Sequence, residues 1–261
     1  MVWLRMTDEE WAVLEPLINE CRPPCKVPIK NLRQRIEGIL WRHENGAKWR
    51  AMPAEYGPWW KPAQTFIDRS RLGVWERLLE RVRARLGVAL GMAFLDGTAM
   101  RAHQKAAGAA KKGELQRNAM IVRPLAAHAA ALGPKPLVIA DGKGRAVAFA
   151  VAPGQAHEVP LAPGLIDKLP AAPGWIVGDR GLSAHALREL IWDSGAKPAI
   201  PPKRNEAPVA CRSWIYQNRN IVERLWARLK EWRAVATRYE KTRSSFQGVL
   251  CLAATFDWIR G

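Results

Sequence analysis

Glu223 is the residue from which the chemistry can be read. It lies in YQNRNIVERLWARLKEWR, Tyr216 to Arg233, a stretch that makes sense as one helix with two faces. At about 100° per residue, Ile221, Leu225 and Trp232 fall on one side, with Leu229 and Val222 at its edge. Arg219, Glu223, Trp226, Ala227 and Lys230 gather on the opposite side, so one acid sits between two bases. A solvated helix face with two ion pairs would look like this. So would a carboxylate aimed into a site whose flanking bases hold a phosphate backbone. Two further acids favour the second reading. MAFLD and WIVGD are short apolar runs that end in Asp96 and Asp179, and a strand end is where an α/β scaffold presents catalytic groups. Three converging carboxylates offer only hard oxygen donors, a set suited to two divalent ions, Mg2+ or Mn2+. A pair of such ions serves in-line phosphoryl transfer, one activating the attacking oxygen and the other stabilising the leaving one.

The elements that must position these acids follow from pattern. Before residue 90 the chain reads as four helices. Thr7 and Glu10 form a capping box that opens the first, which buries Trp11, Leu14 and Ile18 and stops before Pro23-Pro24. The second, about Leu32 to His43, turns Ile36, Ile39 and Leu40 inward and ends at Asn45-Gly46. A Trp-, Pro- and Gly-rich loop follows, with Trp49, Trp59 and Trp60 as its expected anchors. Helices from about Pro62 and from Gly73 to Leu86 carry several arginines, which suits a helix-turn-helix-like DNA module as well as ordinary helical packing. At Gly91 the texture changes to a strand at Met92–Leu95, then Ala/Lys-rich helical sequence. A hairpin turning at Asp141-Gly-Lys-Gly comes next, then a strand at Trp175, a helix to about Asp193 and an edge strand from Lys197. This order gives an α/β domain. The expected division is a helical domain at residues 1–90 and a catalytic domain at 91–261.

Composition narrows the partner. The chain has 261 residues, 48% of them hydrophobic, so it folds around a real core. Lys and Arg number 41 against 24 Asp and Glu, a net +17 spread along the whole chain, and a polyanion is the natural partner. No apolar run is long enough to span a bilayer, and the N-terminus carries acids where a signal peptide has its apolar core. A cytoplasmic, nucleoid-associated protein is expected, with no membrane role. Cys21, Cys25, Cys211 and Cys251 form neither a disulfide framework nor a zinc site, and read as structural.

The chain resembles the DDE transposases of bacterial insertion sequences, in particular the insertion sequence five family. Tyr216, Arg219, Glu223 and Lys230 match that family's signature of Tyr, two residues, Arg, three residues, Glu, six residues, Lys. DGTAMRAHQKAAGA and VGDRGLSAHALRE resemble its first and second acidic blocks, and WRHENGAKWRAMPAEYGPW its helical leader. The resemblance implies a ribonuclease-H-like catalytic domain behind an N-terminal all-α DNA-binding domain, with Asp96, Asp179 and Glu223 as metal-binding triad. It places Arg219 and Lys230 on DNA phosphates and Tyr216 in a positioning role, with Arg101, His103 and Arg180 also lining the DNA site. It implies Mg2+ or Mn2+, two ions, and no nucleotide cofactor. The implied partner is double-stranded DNA, both terminal inverted repeats and target, bound by a homo-oligomer. The activity implied is cleavage at element ends and strand transfer into a target. An inactive relic that only binds DNA, and a host nuclease or resolvase of the same fold, stay open. One run departs from the family pattern, NAMIVRPLAAHAAALGPKP at Asn118 to Pro136, where the family has a basic Gly-rich run. Weakened or absent transposition is the expected consequence. Leu182, where the family often has Tyr, is a smaller departure.

Overall fold

The computed structural model describes residues 6–22, 29–103, 106, 133–152 and 156–261. Most of the Ala/Lys-rich stretch expected to be helical, residues 118–132 of the departing run, and Cys25 lie outside them. The described helices are α1 (Asp8–Cys21), α2 (Leu32–Asn45), α3 (Trp60–Arg71), α4 (Val74–Leu86), α5 (Ala162–Ile166), α6 (His185–Asp193), α7 (Ser213–Tyr216), α8 (Asn220–Lys230), α9 (Arg233–Ala236) and α10 (Arg243–Arg260). The strands are β1 (Met92–Gly97), β2 (Arg101–Ala102), β3 (Lys135–Ala140), β4 (Ala146–Ala152), β5 (Trp175–Gly178), β6 (Lys197–Ala199) and β7 (Thr237–Arg238). They divide into two compact units. One holds α1 to α3, α4 as far as Val82, α9, β7 and α10; the other holds the five-stranded sheet, α5 to α7 and α8 as far as Arg228. Among the described residues no helix is long and apolar enough to cross a membrane.

In the helical unit, α1 begins as its sequence dictates. The Glu10 amide donates to Thr7 Oγ1 at 3.1 Å and the Thr7 amide to Glu10 Oε2 at 3.0 Å, satisfying two otherwise orphaned donors. Thr7→Ala should therefore cost about 1 kcal/mol, read as a lower urea midpoint; an unchanged midpoint would show the box to be idle. Leu14 and Ile18 are fully buried but Trp11 is only half-buried. Ile36, Ile39 and Leu40 face inward on α2, and Gly46 ends that helix at φ +58°, a left-handed conformation that costs glycine nothing. The loop after it is not anchored by three tryptophans. Trp59 and Trp60 are exposed, lying beneath the cations of Arg50 and Lys61, whereas Met52 and Tyr56 are the buried residues. Only Trp49 packs inward, against His43 and Phe66.

The last helix, α10, was not legible in the sequence. Thr242 caps it through the Ser245 amide, and it is buried along most of its length with residues of Val249–Phe256 on every side. It packs on α3, and Gly248 makes that approach possible: a Cβ there would stand 2.7 Å from Trp75 Cδ1 and 2.8 Å from Ser70 Oγ.

The sheet runs β4-β3-β1-β5-β6, with β3 antiparallel to β1 and β4, and β5 parallel to β1 and β6. A hairpin beside two parallel strands, with helices supplying the crossovers, is the ribonuclease-H-like arrangement expected. One face of the sheet holds the core of Ala93, Leu95, Leu137, Ile139 and Ile176, covered by Leu165 of α5 and Leu187 and Ile191 of α6. The hairpin turns on Asp141, fully buried, whose carboxylate accepts from the amides of Ala89, Lys143 and Arg145 and pairs with the Arg145 guanidinium at 2.7 Å. A charge buried this deeply is tolerated because every lone pair has a donor.

Candidate active site

Strand register brings the first two acids together. In the parallel pair, Phe94 lies opposite Val177 and Leu95 opposite Gly178, so one step further sets Asp96 beside Asp179. Side chains alternate across a strand. Ala93, Leu95 and Ile176 enter the core face, so Asp96 points to the other face, with Phe94. Asp179 then caps the 3-10 turn Arg180–Leu182, its Oδ1 accepting from the Leu182 amide at 3.1 Å. Gly181 explains the Asp-Arg-Gly run: a Cβ there would crowd both Asp179 carboxylate oxygens, at 3.1 and 3.3 Å.

The third acid is carried by α8, which covers that same face. The stretch around it is not one helix from Tyr216 to Arg233. It is a short helix α7, a 3-10 turn at Gln217–Arg219, then α8, with Trp232 beyond its end. The buried stripe is Val222, Leu225, Trp226 and Leu229, so Trp226 belongs with the core and not with Glu223. Its indole lies 6.0 Å from the Phe149 ring on β4. The hairpin turn holds α8 from the other end, as Arg228 donates to the Gly144 carbonyl at 2.7 Å. Gly144, at φ +74°, lies so close to Ile221 that a Cβ would stand 2.7 Å from its Cγ2. Packing thus fixes both the height and the rotation of the helix that bears Glu223.

Arg219 joins two of the three acids. Its Nη2 lies 2.9 Å from Asp96 Oδ1 and 3.7 Å from Glu223 Oε1. Burial opposes the guanidinium's charge, but the Asp96 hydrogen bond and charge, aided by a side-chain hydrogen bond with Tyr216, hold its pKa above the usual range. Among the described residues its buried Nε has no hydrogen-bond partner. Asp96 is 5% exposed, and burial pushes its carboxyl pKa upward; Arg219 pulls it back, while Asp179 and Glu223 push it up again. Glu223 itself is the open member, its side chain 59% exposed.

The other residues expected at the site fall less closely. Arg180, next to Asp179, and Arg101 are exposed in the sheet unit. His103 and Lys230 belong to the helical unit, where the His103 ring lies tilted against that of Tyr239, 5.0 Å between centroids. One acid escaped the sequence reading altogether. Glu158 lies against Gly97, with its carboxylate atoms 2.4 to 2.7 Å from where a Cβ on that glycine would stand. It interacts electrostatically with Lys135, Asp179 and Asp96. A lone acid in a Pro- and Gly-rich connection gives no periodic or motif signal.

These donors suit a divalent cation. Every group is a carboxylate, and Asp179 and Glu223 both repel the buried Asp96 while Arg219 pairs with Asp96 and Glu223, so such a set of acids favours hard, multiply charged counter-ions. Among the described residues, no three carboxylates, thiols or imidazoles already stand around one point. Glu223 would have to turn from Arg219 to join the aspartates.

Comparison with known proteins agrees with this architecture. Residues 6–79 match the family model described as "Putative transposase of IS4/5 family", and residues 176–260 match "Transposase DDE domain". The chain is 32% identical to the "Insertion element IS402 uncharacterized 16.2 kDa protein" of Burkholderia cepacia, over 40% of this chain and 76% of that protein. It is 30% identical to the "Putative transposase for insertion sequence element IS6501" of Brucella ovis, over 33% of this chain and 67% of that one. A solved structure, a piggyBac transposase synaptic complex with hairpin DNA, aligns with TM-score 0.36 and 12% identity over 80% of this chain; the match spans 45% of that longer chain. Divalent metal ions are the general requirement of DDE domains, and DNA is what they act on. With a leader of the IS4/5 type in front of a DDE domain, the chain belongs to the insertion-sequence transposases.

Proposed function

We propose that this transposase cuts DNA at the terminal inverted repeats of its own element and joins the freed 3′ ends to target DNA. The observation that carries this reading is that Asp96, at the end of β1, is within electrostatic reach of both Asp179, at the end of β5, and Glu223 on α8, with Arg219 paired to Asp96 and Glu223. In this reading the three carboxylates would hold divalent cations, Mg2+ or Mn2+, two in number. When bound, these would supply Lewis-acid activation of the attacking oxygen and charge stabilisation at the scissile phosphate.

The remaining work falls to the protein. Asp96 and Asp179 are fixed by strand register and by the turn at Gly181, so their spacing is set before DNA arrives. Arg219 neutralises Asp96 and Glu223 in the free protein. Once they are otherwise neutralised, its guanidinium would donate to a DNA phosphate oxygen. Tyr216 steadies that side chain. Arg101, Arg180, Lys230 and His103 are assigned to the DNA backbone, whose neutralisation by cationic side chains supplies a large share of the affinity. Residues 1–90 are assigned to reading the element ends and 91–261 to the chemistry, with the chain acting as a homo-oligomer on DNA in the nucleoid, without a nucleotide cofactor.

The test is incubation of the full chain with Mg2+ and a duplex carrying the repeats that flank its gene. Nicks that leave 3′-hydroxyls at the repeat ends, followed by joined products with a target plasmid, are expected. End binding without nicking would leave a DNA-binding relic, and cleavage without end preference would point to a nuclease.

A further inference from the structure

The sheet's catalytic end receives an acid from each face. Glu223 reaches it from the side covered by α8. Asp96 and Gly97 alternate across the pleat, so Glu158, which packs on Gly97, arrives from the opposite side, where Val159, Leu161 and Ala162 join the main core. Two features of this contact are not those of a chance surface acid. The Glu158 carboxylate fills the space that any side chain at residue 97 would occupy, so Gly97 keeps a place for it directly after Asp96. The same carboxylate lies within electrostatic reach of both Asp96 and Asp179, a repulsive arrangement that folding alone gives no reason to keep.

We propose that Glu158 is a fourth carboxylate of the divalent-cation site, held at the end of β1 by the missing side chain of Gly97. The inference rests on the site reading above. It makes the donor set four acids on four distinct supports: two strand ends, helix α8, and the connection after β4. It also gives the Asp-Gly pair that ends β1 a shared purpose, with one residue contributing an oxygen donor and the next making room for another.

The test uses the full chain and Mn2+ alone, without DNA, and follows free Mn2+ by electron paramagnetic resonance. Glu158→Gln should weaken Mn2+ binding about tenfold or more. Gly97→Ala, which leaves Glu158 chemically intact but puts a methyl where its carboxylate sits, should weaken it in the same direction. In chelator, Glu158→Gln should melt no lower than the parent chain, because it removes a repelling charge. If Glu158 served only as a structural partner of Lys135, the variant would melt lower in chelator and bind Mn2+ as the parent does, and the proposal would be overturned. Asp96→Asn separates the two claims. If it abolishes Mn2+ binding while Glu158→Gln leaves it unchanged, the three-acid site stands and Glu158 does not belong to it. Wild-type affinity in Asp96→Asn, or no Mn2+ binding by the parent chain, overturns both.

Discussion

Asp96→Asn, Asp179→Asn and Glu223→Gln should each abolish nicking at element ends while leaving end binding largely intact. Each change removes a charged oxygen donor but keeps the shape of the side chain, so strand register and helix packing are undisturbed. Losing about 4 kcal/mol of transition-state stabilisation slows cleavage roughly 10³-fold. DNA binding survives because the phosphate contacts are spread over a chain of net charge +17. The three variants should nonetheless differ in the free protein. Asp96 is the buried acid and the closer partner of Arg219, so its amide leaves Glu223 as the carboxylate paired with that guanidinium. Glu223 is mostly exposed, and its amide should hardly change stability. Gel-based nicking assays beside equilibrium DNA binding check this. Near-normal cleavage by any one variant removes that residue from the triad, and parallel loss of binding would mean that the variant acts through folding.

Arg219 shows why a static arrangement of acids and a base is informative. Asp96, largely buried, and the more open Glu223 both find a counter-charge in Arg219, supplied from the turn just before α8. The pairing is weak toward Glu223, at 3.7 Å, and strong toward Asp96, at 2.9 Å. An exchange of this arginine for another cation thus requires least movement on the exposed side, where Glu223 can swing, and most on the side fixed by the sheet.

How much of this could be read from the residues depends on how local each signal is. The capping box at Thr7, the hairpin turn at Asp141 and the aspartates at the two strand ends are dictated by neighbours within a few positions, and each stands where its sequence puts it. Rotation of α8 is a different matter. A helical wheel places Trp226 with Glu223, but the wheel's edges are settled by what lies opposite, and the Phe149 ring on β4 draws the indole inward. Helix α10 is apolar around its circumference because it is enclosed on nearly every side, so it lacks the two-faced pattern by which a surface helix is recognised. Trp59 and Trp60 mislead for the opposite reason: large apolar rings are found outside as well as inside, and here cationic neighbours cover them. Glu158 reaches Gly97 through a connection with no periodicity, a juxtaposition visible only once the sheet exists.

The helical unit carries its own buried charge cluster, and breaking it should produce the largest loss of stability in the chain. Glu240 is nearly enclosed, ion-paired with Arg42, while Arg238 donates its Nε to the Glu240 carbonyl at 2.7 Å. His43 is fully buried with its Nδ1 2.7 Å from the Ile39 carbonyl, and burial, reinforced by Arg42, lowers its pKa and keeps the ring neutral. The pair that matters is therefore Arg42 with Glu240. Glu240→Gln leaves Arg42 buried without its counter-charge and should cost about 3–5 kcal/mol. The double variant Arg42→Met with Glu240→Leu should be less destabilised than the single one, because it removes both desolvation penalties together. Acid supplies an independent check. Burial raises the pKa of Glu240, but Arg42, chiefly through its charge, and His43 together outweigh it and hold the carboxyl at about 2, against an ordinary 4.5. The folded pKa is the lower one, so this group's contribution is present above pH 4.5 and is lost as pH falls from there toward 2. The parent chain should lose stability over that window more steeply than the double variant, which has no carboxyl to protonate there. Urea unfolding of the three chains between neutral pH and pH 3 measures both effects. A Glu240→Gln midpoint equal to the parent's, or identical acid slopes for parent and double variant, would show that the pair contributes no net stability and that the enclosing helices alone hold this unit together.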